Sequence, residues 1–202
     1  MAVNKPDALR PGNPAVASAA VLQAEIERLK ADIARARRTI AELEARADTD
    51  PLLNIFNRRS FVRELNRSLA YVQRYGNKAA LLFIDLDGFK KVNDQHGHAA
   101  GDALLKAVAR ELTAHVRASD VVARLGGDEF GVVLWNASET HAAAKARELE
   151  KIVEQINLPF GETRLKAGAS AGFVPLAAEA TAAQLLDAAD QAMYARKRER
   201  RG

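Results

Sequence analysis

Residues 121–135 read VVARLGGDEFGVVLW. Two short apolar runs flank Gly126-Gly127, which predicts a β-hairpin whose tip is turned by glycine. An Asn-Gly pair would satisfy an ordinary hairpin. Here two acids, Asp128 and Glu129, follow the glycines directly. Adjacent carboxylates repel each other unless a cation or a ligand's donor groups lie between them. Consecutive glycines also leave no side chain between the backbone and an approaching ligand.

A second acidic position lies upstream. AALLFIDLD at 79–87 is a continuous apolar run too short for most helices, so it reads as a buried strand ending in acids. Asp85 and Asp87 are two apart and share one face of that strand. A carboxylate closing so apolar a run needs a partner or a metal. Asp87-Gly88 is read as a turn. Asp85 is read, with Asp128, as a candidate site for Mg²⁺, which takes few carboxylate oxygens and leaves positions for water and phosphate.

The rest of the globular part alternates helix and strand. Phe61, Leu65, Leu69 and Val72 mark a helix over about 58–74, closed by Tyr75-Gly76-Asn77. Residues 88–116 read as a short helix, a Gly/His break and a longer helix. A helix over 138–156, one or two strands in 165–176 and a helix near 181–199 complete the order. That order predicts an α/β or α+β fold, a sheet covered by helices. His96 and His98 resemble a metal pair, but Gly97 parts them and no further ligand is evident, so a structural role is expected. Trp135 is assigned to the core.

Ahead of this domain, Leu22, Ile26, Leu29, Ile33, Ala36, Ile40, Leu43 and Ala47 alternate spacings of four and three. With isoleucine at a and leucine at d, the heptads predict a parallel two-stranded coiled coil over 21–47. Glu25 and Asp32 then face Lys30 and Arg37 of a second chain. Residues 1–20 hold three of the six prolines and no apolar period, and are expected to be a disordered tail. Asp48-Thr49-Asp50-Pro51 ends the helix. The expected organisation is therefore 1–20, 21–47 and 48–202.

Composition excludes several classes. There is no cysteine, hence no disulfide, thiolate metal site or cysteine nucleophile. No apolar run approaches the roughly 18 residues of a membrane span, and no signal-peptide core is present, so a cytoplasmic location without a membrane partner is expected. The net charge of +4 does not argue for nucleic-acid binding.

Gly126-Gly127-Asp128-Glu129-Phe130 spells the signature of the GGDEF family of diguanylate cyclases, and the resemblance extends well beyond it. DPLLNIFNRRSF (50–61), FIDLDGFKKVNDQHGHAAGD (83–102), RASDVVARLGGDEF (117–130) and ADQAMYARKRERR (189–201) are similar to the family's motifs, in the family's order. The resemblance covers about 48–202. It implies a palm-like nucleotidyl-cyclase fold with a mostly antiparallel sheet. It also implies condensation of two GTP into cyclic di-GMP and two pyrophosphates, one GTP per subunit of a homodimer. Asp85, the Leu86 carbonyl and Asp128 match the metal positions, taken by Mg²⁺ or Mn²⁺, with Glu129 beside them in a metal or catalytic role. Asn93 and Asp102 match the guanine-recognising pair. Lys90, Lys197 and Arg201 match phosphate contacts, and Phe89, His98, Gly126 and Gly127 complete the GTP positions. Chemistry agrees: guanine offers N–H donors to a carboxylate, and cations offset a triphosphate.

Arg117-Ala118-Ser119-Asp120 matches the family's RxxD site, which binds the product as an inhibitor; Arg147 is the candidate for its secondary arginine. The chain departs from the family in YARKRERR, where Tyr-x-Ala-Lys-x-x-Gly-Arg is usual. Arg196 replaces the small residue and Arg200 the glycine. Leu53 and Asn54 stand where Thr-Gly is more usual. A cyclic di-GMP receptor or scaffold without turnover would be expected to lack Asp128 or Glu129, and both are present. No further sensory domain is recognisable, so input is expected through the helix, a partner or the first 20 residues.

Overall fold

The structure, a computed structural model, describes residues 23–37, 39 and 48–201, with Arg201 described through its backbone alone. The chain divides into two units, Met1–Arg46 and Ala47–Gly202. In the first, a helix, α1, runs over 23–37, and Ile26, Leu29 and Ile33 are 47%, 49% and 53% exposed along it. Glu25 pairs with Arg28 and Glu27 with Lys30 within the chain. The predicted tail over 1–20, and the heptads beyond 39, lie outside the described residues.

The second unit runs β1 (Phe56–Asn57), α2 (Arg58–Tyr75), β2 (Ala79–Asp87), α3 (Phe89–His96), α4 (His98–Ala114), β3 (Val121–Gly126), β4 (Glu129–Trp135), α5 (Glu139–Glu154), β5 (Leu158–Phe160), β6 (Thr163–Leu165), β7 (Gly168–Pro175) and α6 (Ala182–Arg201). Five strands form one sheet in the order β1-β3-β4-β2-β7. Among the described residues only the β1–β3 pair of this sheet is parallel. This α+β architecture is the fold class expected from the sequence.

The apolar run of β2 is continuous because both faces of the sheet are covered. Ala80, Leu82, Ile84 and Leu86 pack with α4 and α5; Ala79, Leu81 and Phe83 pack with α2 and α6. Asp85 and Asp87 continue the second set, on the side of α6. Capping explains the ends of α2: the Asn57 side chain accepts from the Ser60 N–H at 3.0 Å, and Gly76 takes φ 68° beyond Tyr75.

The sheet and α6 approach backbone to backbone. A Cβ on Gly172 of β7 would sit 2.0 Å from the Met193 nitrogen and 2.6 Å from the Ala189 oxygen. No side chain fits there. The hairpin β5–β6 and the two-residue β1 were not expected from the sequence. Leu158-Pro159-Phe160 is too short to show a period, and its proline obscures the strand.

Candidate functional site

β2 and β4 pair antiparallel in a register that sets Asp85 directly opposite Glu129. Like charges facing each other across a ladder destabilise it. The turn of the β3–β4 hairpin adds Asp128. Gly127 takes φ 45° there, and the ladder shifts register between Arg124 and Gly126. The tip is fastened on two sides. The Leu86 N–H donates to the Asp128 carbonyl at 3.3 Å, and Arg124 donates to the Gly127 carbonyl at 2.9 and 2.7 Å. Arg124 also pairs with Asp50 at 3.1 Å. Asp50 is itself fixed by the Leu52 and Leu53 N–H groups, in a turn where Asn54 takes φ 55°. Asparagine tolerates that left-handed conformation, which accounts for its place at a position where glycine is usual.

Burial and mutual repulsion both work against the charged forms of Asp128 and Glu129. Burial, then the Asp85 charge, pushes the Asp128 carboxyl above its ordinary pKa. Burial, then Asp85 and Asp190, raises Glu129 in the same way. Lys197 of α6 answers part of this charge: its ammonium contacts Asp85 and lies 3.7 Å from Asp87 Oδ1. Asp87 Oδ2 accepts from the buried Ser170 hydroxyl at 2.8 Å, while Oδ1 is buried without a hydrogen bond. Among the described residues no group of three or more acids or histidines converges on one metal position. Two facing carboxylates with hard oxygens fit a divalent cation that keeps water or phosphate ligands.

The α3–α4 pair forms the neighbouring wall. A Cβ on Gly101 would lie 2.0 Å from Asn93 Oδ1 and 3.1 Å from Phe89 Cζ, so this glycine makes room for both side chains. Asn93 and Phe89 are half-buried there, and Asp102, next to Gly101, is exposed. Nothing in the periodicity of α4 pointed to Gly101. Its only signal was a glycine inside a helix. Lys90 and His98 are exposed, one in the first turn of α3 and the other opening α4. The Arg201 side chain lies outside the described residues.

On another surface, Arg117 and Asp120 line a hollow with His141, Lys145 and Trp135. Asp120 is held by the Arg117 N–H at 2.9 Å and the Trp135 N–H at 3.0 Å. Each of its oxygens retains acceptor capacity. Arg147 is not brought to this hollow; it lines a different one with Glu150, Phe173 and Arg196. The helical turn decides this, since residues two apart point to different sides of α5.

A sequence model described as diguanylate cyclase, GGDEF domain, matches residues 47–202. The chain belongs to the GGDEF diguanylate cyclase family. Among curated GGDEF proteins it is 39% identical over 172 residues to the probable diguanylate cyclase DgcE of Escherichia coli, covering 85% of this chain and 16% of that protein. It is 37% identical over 185 residues to the diguanylate cyclase TpbB of Pseudomonas aeruginosa, covering 88% and 41%. The chain thus spans less than half the length of these relatives. Among solved structures, the coiled coil and GGDEF domain of DgcB from Caulobacter crescentus, in complex with c-di-GMP, superposes with TM-score 0.78 at 28% identity, covering 88% of this chain and 95% of that one. A sensory box/GGDEF family protein from Caulobacter crescentus gives 0.71 at 39% identity, covering 75% and 99%. Among the described residues no helix is long and apolar enough to cross a membrane.

Proposed function

We propose that this chain is a diguanylate cyclase that condenses two GTP into cyclic di-GMP, one GTP per protomer of a parallel homodimer. The observation that carries the reading is the register of β2 against β4, which sets Asp85 and Glu129 opposite each other beside Asp128 at a glycine turn. Asp85, Asp128 and the Leu86 carbonyl would hold Mg²⁺, with Glu129 beside them, and Mn²⁺ fits the same donors. When bound, the cation acidifies the attacking 3′-hydroxyl and stabilises charge at the phosphorus. Asn93 and Asp102 recognise guanine, with Phe89 and His98 lining that wall. Lys90, Lys197 and Arg201 offset the phosphate charge, and Gly126 and Gly127 let the backbone approach. In each half-reaction a 3′-oxygen bonds to the α-phosphorus of the other GTP, the bond to the β-phosphate breaks, and the hydroxyl proton leaves with pyrophosphate as the second product. Incubation with GTP and Mg²⁺ followed by nucleotide chromatography tests the reading; absence of cyclic di-GMP would refute it.

Metal binding has its own readout. Asp128 and Glu129 are raised in the folded chain, so the folded state binds more protons between the unfolded carboxyl values, about 4, and the raised ones. Stability from these groups is therefore lost as pH rises through that window. Mg²⁺ binds the deprotonated acids, so its stabilisation should grow with pH over the same range. Thermal melts with Mg²⁺ and with EDTA check this. A Mg²⁺ shift that shrinks with rising pH contradicts it.

The hollow at Arg117 and Asp120 is the product's inhibitory site in this reading. Asp120 faces the guanine edge and the Arg117 fork meets guanine and phosphate. His141 and Lys145 line the same hollow, while Arg147, expected as the secondary arginine, lines another. Arg117→Ala should raise the inhibition constant for cyclic di-GMP by about 100-fold, read from progress curves against their own initial rates. An unchanged plateau removes the assignment.

A further inference from the structure

Glu150 is a carboxylate that the reaction above does not use, yet it is 3% exposed. Burial of a charge calls for partners, and this one has them on two elements. Its Oε1 accepts from the Ala171 N–H of β7 at 2.9 Å. Arg196 of α6 grips both oxygens, at 3.2 Å and 3.0 Å, in a forked pair, and Arg200 stands 3.3 Å from Oε2. Arg200 also donates to the Ala169 carbonyl at 2.7 Å and pairs with Glu154. β7 is the last strand of the sheet, so the Ala169 carbonyl and Ala171 N–H face its open edge. Side chains of α5 and α6 close that edge.

The residue between them, Ser170, points the other way and donates to Asp87, the carboxylate 3.7 Å from Lys197. Three consecutive residues of β7 therefore tie the arginine pair to the same strand segment that borders the acidic site. On α6, Lys197 lies between Arg196 and Arg200, within one turn of both. Arg196 and Arg200 are the two positions where this chain departs from its family's closing pattern.

We propose that Glu150 is a positioning residue for Lys197: by holding Arg196 and Arg200 it fixes the last turns of α6 so that the Lys197 ammonium stands over Asp85 and Asp87. The proposal rests on the cyclase reading for what Lys197 then does, which is to meet a GTP phosphate. An arginine pair anchored to one buried carboxylate restrains rotation of the helix, which a single exposed ion pair would not.

Glu150→Gln keeps the volume and an acceptor for the Ala171 N–H while removing the charge that holds both arginines. The expected result is a KM for GTP raised about tenfold, the size of one lost charge-assisted contact, with kcat changed far less. The effect should vanish in a Lys197→Ala background, because two residues acting through one contact do not add. A merely structural role would lower kcat, through the fraction of folded enzyme, and leave KM unchanged in either background. Acetic anhydride labelling read by mass spectrometry supplies a measure that needs no turnover. In Glu150→Gln, Lys197 should label several-fold faster while exposed Lys78 does not change. If Glu150→Gln does not fold, Arg196→Met/Arg200→Met makes the same test from the more exposed side of the pair. An equal KM effect without Lys197, or unchanged Lys197 labelling, overturns the proposal. A wild-type chain that makes no cyclic di-GMP would refute the cyclase reading, while the labelling result would still decide the positioning.

Discussion

Asp128→Asn should lose cyclic di-GMP synthesis by about a thousandfold or more while folding at least as well as the parent chain. The amide matches the carboxylate in shape, so the glycine turn and the Leu86 N–H bond to the Asp128 backbone carbonyl are unaffected. What disappears is a charge that the folded chain disfavours on its own. Burial and the neighbouring Asp85 raise the Asp128 pKa, which means that the neutral form is favoured in the fold. A permanently neutral amide therefore relieves repulsion at pH 7. In EDTA its Tm should equal or exceed that of the parent; in Mg²⁺ the order should reverse. Nucleotide chromatography and paired melts give both numbers. Activity within about tenfold of the parent, or a lower Tm in EDTA, would show that Asp128 shapes the hairpin instead of holding a cation. Stability and chemistry oppose each other here, as at sites built for charge.

That opposition also explains what was legible in the sequence. Acids ending an apolar strand or following a glycine turn violate local expectation, so Asp85, Asp128 and Glu129 were visible before any fold was known. The sheet and its main helices followed from apolar runs, because β2 and β4 are buried on both faces and α2, α4 and α5 carry one apolar stripe. Glu150 gave no such signal. In ARELEKIVE (146–154) it sits among other charges and looks like part of a solvated helix face; only the meeting of α5, β7 and α6 buries it. Gly101 was equally silent, since its meaning lies in the Asn93 and Phe89 side chains of another helix. Arg147 was expected at the Arg117 site, yet rotation about α5 turns Lys145, not Arg147, into the hollow that Arg117 lines. Nearness in sequence to a motif does not fix the side of a helix.

Ile26→Asp/Ile33→Asp should convert the protein to monomers and lower the rate per chain by about a hundredfold or more at micromolar concentration. Ile26 and Ile33 are a-type positions one heptad apart on α1, and they and Leu29 present about half of their surface. Three large apolar side chains aligned on one helix gain little from water, and the proposed dimer would cover them with a second copy of α1, whose heptad pattern matches. Burying the exposed half of each isoleucine contributes about 0.8–1.5 kcal/mol, and an aspartate there would bring two charges together across the seam. The charged flank adds selectivity more than strength. Glu25 has an intrachain partner in Arg28, and Lys30 has one in Glu27, so pairing across the seam must displace contacts of similar worth. In the proposed reaction each active site supplies one of the two GTP molecules, so the loss should follow from concentration alone. Tethering gives an effective concentration of about a millimolar, and free monomers at a micromolar fall far below it. The rate per chain of the double variant should then rise in proportion to protein concentration, whereas the parent's stays flat. Replacing residues 22–47 with an unrelated parallel two-stranded coiled coil should restore the flat dependence. A double variant that is monomeric by light scattering, yet keeps the parent's rate at every concentration, would show that one chain completes the reaction alone. The half-site reading of Asp85, Asp128 and Glu129 would then have to be abandoned.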